Sequence, residues 1–225
     1  MSETLKQLSL PITWAFSKKR KDFVVSDCNR YAFEWLEKWP FKIKDNFVCM
    51  VGEKGSGKTH LSRIWAERLG ADIINANNDV FNKWYNIISS ENTQKYFVLD
   101  DADLIKDDIL LFYIYNTIKE KNAYLLMTSV DFPNKWDLKF NDIKSRLSTL
   151  NIIRIQKPNE LVIISIIEKM LLQRGIIAKE NVIEYIANRI ERSYESMNYW
   201  INRLDSLLID KKSGLSIKIV KEIIN

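Results

Sequence analysis

The most informative stretch of this chain is Gly52-Glu53-Lys54-Gly55-Ser56-Gly57-Lys58-Thr59, which fits the pattern G-x4-G-K-[ST]. Glycines let the backbone of such a loop turn its amides toward a polyphosphate, where side chains would block the approach. The lysine of the pattern reaches the β- and γ-phosphates, and the hydroxyl that follows it binds Mg²⁺. We therefore predict that ADP or ATP binds here with Mg²⁺, through Gly52, Gly55, Ser56, Gly57, Lys58 and Thr59.

A phosphate loop joins a buried strand to a helix, and the segments on either side of this loop have those two patterns. Phe47-Val48-Cys49-Met50-Val51 is an apolar run typical of a buried strand, and residues 59–69 carry helical apolar spacing. The phosphates would then lie at the N-terminus of a helix, which favours anions. A glycine-rich turn without a ligand is the alternative, but it does not explain why Lys58 and Thr59 follow the last glycine.

The composition is that of an ordinary folded protein. The chain has 225 residues, of which 46% are hydrophobic and 28% charged, enough for one α/β core and a small appendage. Cys28 and Cys49 lack metal-ligand and C-x-x-C spacing and are interpreted as reduced thiols. The start of the chain lacks a secretory signal pattern, and no apolar run approaches membrane-spanning length. We therefore expect a cytoplasmic protein that does not contact membranes.

The positive charge of the chain is modest. Its formal net charge is +5, and the densest basic cluster is Lys18-Lys19-Arg20-Lys21. A solvated loop explains this cluster more simply than contact with a nucleic-acid backbone. We therefore expect any contact with DNA to be indirect or weak.

The order of predicted elements indicates the fold class. Apolar strand patterns alternate with helical patterns, which predicts an α/β fold with a five-stranded parallel sheet covered by helices. Pro158 ends this alternation, and only helical patterns follow it. We predict a tail over residues 1–13, a nucleotide-binding α/β domain over 14–157 and a small all-α lid over 158–225. The predicted strands cover residues 47–51, 72–75, 96–99, 123–127 and 151–155, and the helices lie near 79–89, 109–120, 160–173, 180–192 and 196–210, with a short last helix to 225.

Two acidic residues follow the predicted strand at residues 96–99. Asp100 is suited to hold the Mg²⁺ shell, usually through water, and Asp101 to orient or deprotonate the attacking water. An acidic turn after a core strand is the alternative. At the tip of the next strand, Thr128 or Ser129 would lie beside the γ-phosphate, although either would also serve as a strand cap.

Arg146 is the remaining candidate catalytic residue. It follows a short helix-like run over residues 141–144, from which an arginine would project toward the nucleotide of a neighbouring subunit. From the residues alone, an exposed arginine with no special role is the simpler interpretation.

Together these motifs resemble AAA+ ATPases, and finer features resemble the branch that contains the replication initiator DnaA and its regulator Hda. Asp22-Phe23-Val24-Val25 and Asn29-Arg30-Tyr31-Ala32 are similar to the opening box of the family, and Gly57-Lys58-Thr59-His60-Leu61 matches its loop-to-helix sequence. Trp39-Pro40 is similar to the corresponding dipeptide of Hda-type proteins. The resemblance implies nucleotide contacts from Val24, Val25, Asn29 and the His60 position, where we interpret the side chain as helix packing.

The resemblance also gives Arg146 and the start of the chain a role. Arg146 takes the arginine-finger position, where it would act in trans, and Asp101 and Ser129 complete the predicted catalytic set. Near the start, Gln7-Leu8-Ser9-Leu10-Pro11-Ile12 is similar to the clamp-binding peptide of Hda proteins. Its glutamine and apolar groups would fill a niche on the clamp ring, although an apolar tail would also dock on its own core. The clamp-binding residues are thus Gln7, Leu8, Ser9, Leu10, Pro11 and Ile12.

The resemblance implies a regulator of replication initiation. Such a protein binds the DNA-loaded sliding clamp and stimulates ATP hydrolysis by DnaA, which prevents re-initiation. We expect the amino-terminal assembly domain and carboxy-terminal DNA-binding domain of DnaA to be missing here. We also expect slow intrinsic hydrolysis, because no arginine lies at the lid sensor position near Glu195-Ser196 and Val130 replaces the acidic sensor at the sheet tip.

Three other functions fit the same residues. One is a self-assembling, DNA-stimulated ATPase in which Arg146 acts between copies of the chain. A second is a helicase loader, and a third is an adaptor for clamp or DnaA in which the nucleotide is only structural. The regulator is expected to stimulate ATP hydrolysis by DnaA, and this stimulation distinguishes it from the other three functions.

Overall fold

A parallel five-stranded sheet forms the centre of the α/β part of the chain. The computed structural model describes residues 23–76, 84, 94–210 and 215–224. The sheet has the order β2-β3-β4-β1-β5, with every pair parallel. This confirms the predicted α/β class and strand number. The strands are β1 (Phe47–Val51), β2 (Asp72–Asn75), β3 (Tyr96–Asp100), β4 (Tyr124–Ser129) and β5 (Asn151–Arg154).

Helices cover the sheet and then form the carboxy-terminal part. Helices α1 to α4 belong to the part with the sheet, and α5 to α8 follow it. Short 3-10 turns at Ala102–Leu104 and Pro133–Lys135 follow β3 and β4. The helices are α1 (Arg30–Lys38), α2 (Lys58–Leu69), α3 (Asp108–Glu120), α4 (Asn141–Ser148), α5 (Glu160–Leu172), α6 (Glu180–Ala187), α7 (Tyr194–Asp210) and α8 (Ile217–Ile224).

Most predicted elements occur within one or two residues of their expected bounds. Two helices differ by more: α4 continues to Ser148, four residues past the predicted run over 141–144, and α6 ends at Ala187 instead of continuing to 192. The helix expected near residues 79–89 lies outside the described residues except for Trp84, which is helical and buried.

Alternate residues of β1 face two different cores. Cys49 and Val51 pack with α3 and α4 on one face of the sheet, and Val48 and Met50 pack with α1 and α2 on the other. On the second face the rings of Trp39 and Trp65 stack with centroids 4.7 Å apart. The sheet thus separates α2, which begins at the phosphate loop, from α3 and α4.

The lid helices α5 to α8 share a hydrophobic core of their own. Ile167, Ile186, Ile201 and Val220 come from the four helices in turn and are fully buried in it. At the start of α5 the Asn159 side chain accepts a hydrogen bond from the Val162 amide at 3.0 Å. This bond makes Asn159 the N-terminal cap of α5.

No helix in the described part of the chain is both long enough and apolar enough to cross a membrane.

Candidate nucleotide-binding site

The glycine-rich loop lies where β1 ends and α2 begins. Gly57 has a left-handed backbone, with φ of 99°, and occupies the position just before α2. The Gly52 amide donates to the Ser129 carbonyl at 3.2 Å, and a Cβ on Gly52 would lie 2.7 Å from the backbone oxygen of Ile155. A side chain at residue 52 would therefore force neighbouring backbone apart, and glycine is required there.

Two side chains of the loop turn inward. The Lys58 ammonium donates to the carbonyls of Gly52 at 2.7 Å and Glu53 at 3.1 Å, and the residue is 6% exposed. The Ser56 hydroxyl is buried and has no hydrogen-bond partner in the described residues. A buried ammonium, an unsatisfied hydroxyl and a backbone cradle at a helix N-terminus together fit a polyphosphate.

Oxygen-bearing side chains meet where α2, β3 and β4 come together. The Thr128 hydroxyl donates to Asp100 Oδ1 at 2.6 Å, and the Thr59 hydroxyl donates to the same oxygen at 3.4 Å. Asp100 is 2% exposed. Mg²⁺ prefers oxygen ligands and keeps several waters, so Thr59 and Asp100 fit the two protein positions predicted for that ion.

Thr128 and Ser129 face different environments, although they are adjacent in β4. Thr128 contacts Asp100, and its hydroxyl also accepts a hydrogen bond from the Asp101 amide at 2.9 Å. The Ser129 hydroxyl instead donates to the Asp131 carbonyl at 2.8 Å and lies 3.4 Å from Cys49 Sγ. The structure therefore brings Thr128, and not Ser129, to the predicted metal-binding carboxylate.

Asp101 occupies a turn with unusual backbone geometry. Its φ is 57°, in the left-handed region, and its carbonyl accepts from the Leu104 amide at 3.0 Å to start the 3-10 turn. Left-handed backbone is uncommon for residues other than glycine, asparagine and aspartate. The residue predicted to act on water is thus half-buried directly after β3, in a turn anchored to Thr128.

A cleft that is partly open to solvent continues from the loop. From the α/β part it is lined by Phe23, Val24, Cys28, Asn29 and His60. From the lid side it is lined by Pro158, Val162, Ile166 and Met197. Its mainly apolar walls beside the phosphate loop suit a nucleotide base.

The opening box folds back on itself beside the cleft. Asn29 donates from its amide nitrogen to the Val24 carbonyl at 2.9 Å and accepts from the Ser26 amide at 2.9 Å. The ring of His60 meets Phe23 edge-on, with centroids 5.2 Å apart, so His60 both packs and lines the cleft. Val25 is 36% exposed and is not among the lining residues.

Arg146 lies on the opposite face of the sheet from α2. Its guanidinium donates to Asn116 Oδ1 at 2.6 Å and to Asp142 Oδ2 at 3.0 Å. The guanidinium carbon also lies 4.9 Å from the ring centroid of Phe112 and 5.4 Å from that of Tyr115. The side chain is 31% exposed, so it is accessible from outside while being held by its own subunit.

The lid carries a different arginine, Arg192, which lies beside the start of α5. Arg192 forms an ion pair with Glu160 at 3.5 Å, at the first residue of α5. At the sheet tip Val130 is 44% exposed, and its amide donates to Asp103 at 2.9 Å. The predicted clamp-binding residues 7–12 lie outside the described residues.

Some of the site was missed by sequence reasoning. Cys28, Val162, Ile166 and Met197 line the cleft, but each looks like an ordinary core position in the sequence. The contact between Thr128 and Asp100 depends on the pairing of two strands. In the sequence, only the position of Thr128 at the end of a predicted strand indicates this contact.

Relatives of known sequence point in one direction. No protein-family model matches the chain. An uncharacterised protein of Haemophilus influenzae is 26% identical over 232 residues, covering 98% of this chain and 99% of that protein. The replication initiator DnaA of Borrelia garinii is 26% identical over 235 residues, covering 93% of this chain. The chain spans about half the length of the DnaA relatives, 48% in that case.

Solved structures agree with these relatives. Domain III of Thermotoga maritima DnaA superposes with a TM-score of 0.76 at 20% identity, covering 92% of this chain and 97% of that one. AMPPCP-bound DnaA of Aquifex aeolicus superposes with a TM-score of 0.69 at 22% identity, covering 90% of this chain and 68% of that one. The Thermotoga maritima RuvB Holliday junction branch-migration motor superposes with a TM-score of 0.70 at 17% identity, covering 92% of this chain and 71% of that one. The chain therefore has the AAA+ P-loop fold of DnaA domain III, and the predicted resemblance to DnaA-type AAA+ proteins is confirmed.

Proposed function

We propose that this protein is an Hda-like regulator that acts on the nucleotide of DnaA. It binds ADP or ATP itself, docks on the DNA-loaded sliding clamp through residues 7–12, and presents Arg146 to ATP held by DnaA. Faster hydrolysis by DnaA then prevents re-initiation. The observation that carries the proposal is that Arg146 is partly exposed on the sheet face opposite α2, in a chain with a DnaA-like fold.

The chain's own nucleotide site would hold its ligand through the loop. The loop amides and Lys58 would bind the phosphates, and Thr59 with Asp100 would hold Mg²⁺. Bound Mg²⁺ neutralises charge on the β- and γ-phosphates. Thr128 fixes the orientation of Asp100, and we propose Asp101 as the residue that orients water.

Several features support a nucleotide that sets conformation more than it turns over. Two DnaA structures similar to this one contain the ATP analogue AMPPCP, and one of them also contains single-stranded DNA. Here Arg192 is paired with Glu160, and Val130 lies at the sheet tip in place of an acidic sensor. Because Arg192 is engaged with Glu160 and residue 130 carries no acidic side chain, we propose slow intrinsic hydrolysis and a working nucleotide that is often ADP.

The experiment measures ATP hydrolysis by DnaA from the same source in the presence of DNA-loaded clamp. Wild-type protein is compared with Arg146→Ala, Gln7→Ala and Arg154→Ala, the last a control for loss of an exposed arginine. We expect Arg146→Ala to lower the stimulated rate at least about a hundredfold, because an arginine finger stabilises charge in the transition state. Gln7→Ala should also lose the clamp-dependent stimulation, because it no longer docks on the clamp, and Arg154→Ala should behave as wild type.

Other outcomes favour the alternative functions. Stimulation that survives in Arg146→Ala would remove the arginine from the mechanism. Clamp and nucleotide binding without any stimulation would indicate an adaptor. Hydrolysis by this protein alone that rises with DNA and ATP-dependent assembly would indicate a self-assembling ATPase.

A further inference from the structure

Arg146 is held by two helices of its own subunit. Asn116 of α3 binds one terminal nitrogen of the guanidinium, and Asp142 of α4 binds the other. Of the five N–H donors of the group, these two bonds therefore occupy one on each terminal nitrogen. A phosphate that binds the guanidinium through two parallel hydrogen bonds needs one whole edge of the group, and Asp142 already occupies part of such an edge.

The aromatic side of this pocket is itself fixed in place. Phe112, which lies under the guanidinium, meets Phe140 edge-on with centroids 5.2 Å apart. Tyr115, the second ring beside Arg146, stacks on Phe47 of β1 with centroids 4.1 Å apart. The guanidinium therefore rests on two packed rings, one stacked on the sheet and the other held at the start of α4, and its orientation is set before any partner arrives.

The two polar partners of Arg146 differ in charge and exposure. Asn116 is neutral and half-buried, whereas the Asp142 side chain is 48% exposed and carries a negative charge. A carboxylate presents the same kind of acceptor to an arginine as a phosphate does. Asp142 thus occupies part of the guanidinium edge and also repels an approaching phosphate.

We propose that Asp142 is a positioning residue that competes with the partner's phosphate for Arg146, while Asn116 and the rings of Phe112 and Tyr115 keep the guanidinium oriented. This inference rests on the proposed function, because it requires Arg146 to meet a nucleotide in trans. The Asp142 carboxylate must leave the guanidinium edge as the phosphate binds, so its charge limits the stimulated rate.

The test compares Asp142→Asn, which keeps the shape and removes the charge, with wild type in DnaA ATP hydrolysis at saturating clamp. We expect the stimulated rate to rise about two- to threefold, as befits an exposed ion pair within one helix. The gain should shrink at high salt, because screening weakens the wild-type pair. Asn116→Ala should lower the maximal rate, and Asp137→Asn, an exposed carboxylate of the same face, should leave it unchanged.

A second measurement does not depend on DnaA. Modification of Arg146 by an arginine-selective dicarbonyl, quantified by peptide mass spectrometry, should be faster in Asp142→Asn than in wild type or Asp137→Asn. Unchanged labelling overturns the inference, as does an unchanged or lower stimulated rate in Asp142→Asn when wild type stimulates. If the wild-type protein does not stimulate ATP hydrolysis by DnaA, the proposed function is overturned. Faster labelling of Arg146 in Asp142→Asn would in that case support the contact between the two side chains but overturn its role in DnaA ATP hydrolysis.

Discussion

At the scale of single residues, Lys58 carries the strongest expectation. Its ammonium is buried and bonded to two loop carbonyls, so it is already positioned over the phosphate cradle. We expect Lys58→Ala to weaken ATP binding about ten- to a hundredfold, the value of a charge-assisted hydrogen bond. Titration with a fluorescent ATP analogue measures this change.

The same loop supplies the matched control. Lys54 lies four residues earlier and is exposed. Lys54→Ala should change ATP affinity less than about twofold, because an exposed lysine has no fixed position over the phosphates. Equal losses in both variants would mean that net charge, and not the Lys58 geometry, governs binding.

The two cysteines should differ in reactivity. Burial raises the pKa of the Cys49 thiol to about 12, with the Ser129 hydrogen bond acting in the opposite direction and the Asp103 charge adding to the rise. Cys28 lines the nucleotide cleft. At pH 8 we expect a thiol reagent to label Cys28 and not Cys49, and saturating ATP to slow the labelling of Cys28. Rapid labelling of Cys49 in the folded protein would contradict its burial.

The same pKa has a consequence for stability against pH. Below pH 9, the ordinary pKa of this thiol, Cys49 is protonated in both the folded and the unfolded chain, so its contribution to stability is fully present. Between pH 9 and about 12 the unfolded chain ionises first, and the free energy of unfolding falls. Urea unfolding at pH 8 and pH 10.5 should show a smaller loss for Cys49→Ala than for wild type.

At the scale of elements, Arg68 connects α2 to the end of α1. Its guanidinium donates to the carbonyls of Leu36 at 2.7 Å, Glu37 at 2.9 Å and Trp39 at 2.7 Å. The last carbonyls of a helix lack partners within it, and a cation there also complements the helix dipole. Through this contact α2, which starts at the phosphate loop, holds α1, which follows the opening box.

Removing this connection should destabilise the fold. We expect Arg68→Ala to lower the free energy of unfolding by about 1–2 kcal/mol, a value reduced by the partial exposure of the group. Arg63→Ala, an exposed arginine of the same helix, should cost less than about 0.5 kcal/mol. Urea unfolding measures both, and equal costs would show that the three hydrogen bonds add nothing.

The helix ends show where sequence periodicity misleads. Apolar spacing continues past Ala187 because Ile190 is buried in the lid core, yet the helix ends at Ala187. Periodicity reports which residues are buried, and a turn can bury a residue as well as a helix can. The strands were easier to predict, because a run such as Phe47–Val51 is buried at every position.

At the scale of the whole molecule, the lid covers the base side of the cleft. Ile166 of α5 and Met197 of α7 line it together with residues of the opening box. Nucleotide would therefore contact both parts of the chain. We therefore expect nucleotide binding and lid position to be coupled.

That coupling predicts an effect of the lid on affinity. We expect Ile166→Ala to weaken ATP binding about three- to tenfold, since it removes apolar surface from the cleft. Leu172→Ala, in the same helix but 58% exposed, should have no effect on affinity. Isothermal titration calorimetry measures both, and an unchanged Ile166→Ala affinity would mean that the base does not reach the lid.

Patterns in the sequence predict the glycine-rich loop between β1 and α2, the parallel sheet and the helices that follow Pro158, and the structure contains all three. Each of these depends on patterns within about ten residues, such as the glycine spacing of 52–57 or an apolar run. The resemblance to DnaA-type proteins added the role of Arg146 and the clamp-binding peptide, which remain predictions.

Contacts between distant side chains follow from the tertiary structure. Parallel pairing of β3 and β4 places Thr128, and not Ser129, beside Asp100, and packing of α3 against α4 places Asn116 beside Arg146. Packing of the lid beside the α/β part likewise brings Val162, Ile166 and Met197 to the cleft. These contacts join residues far apart in the chain, and strand register and helix packing, which no local pattern encodes, bring them together.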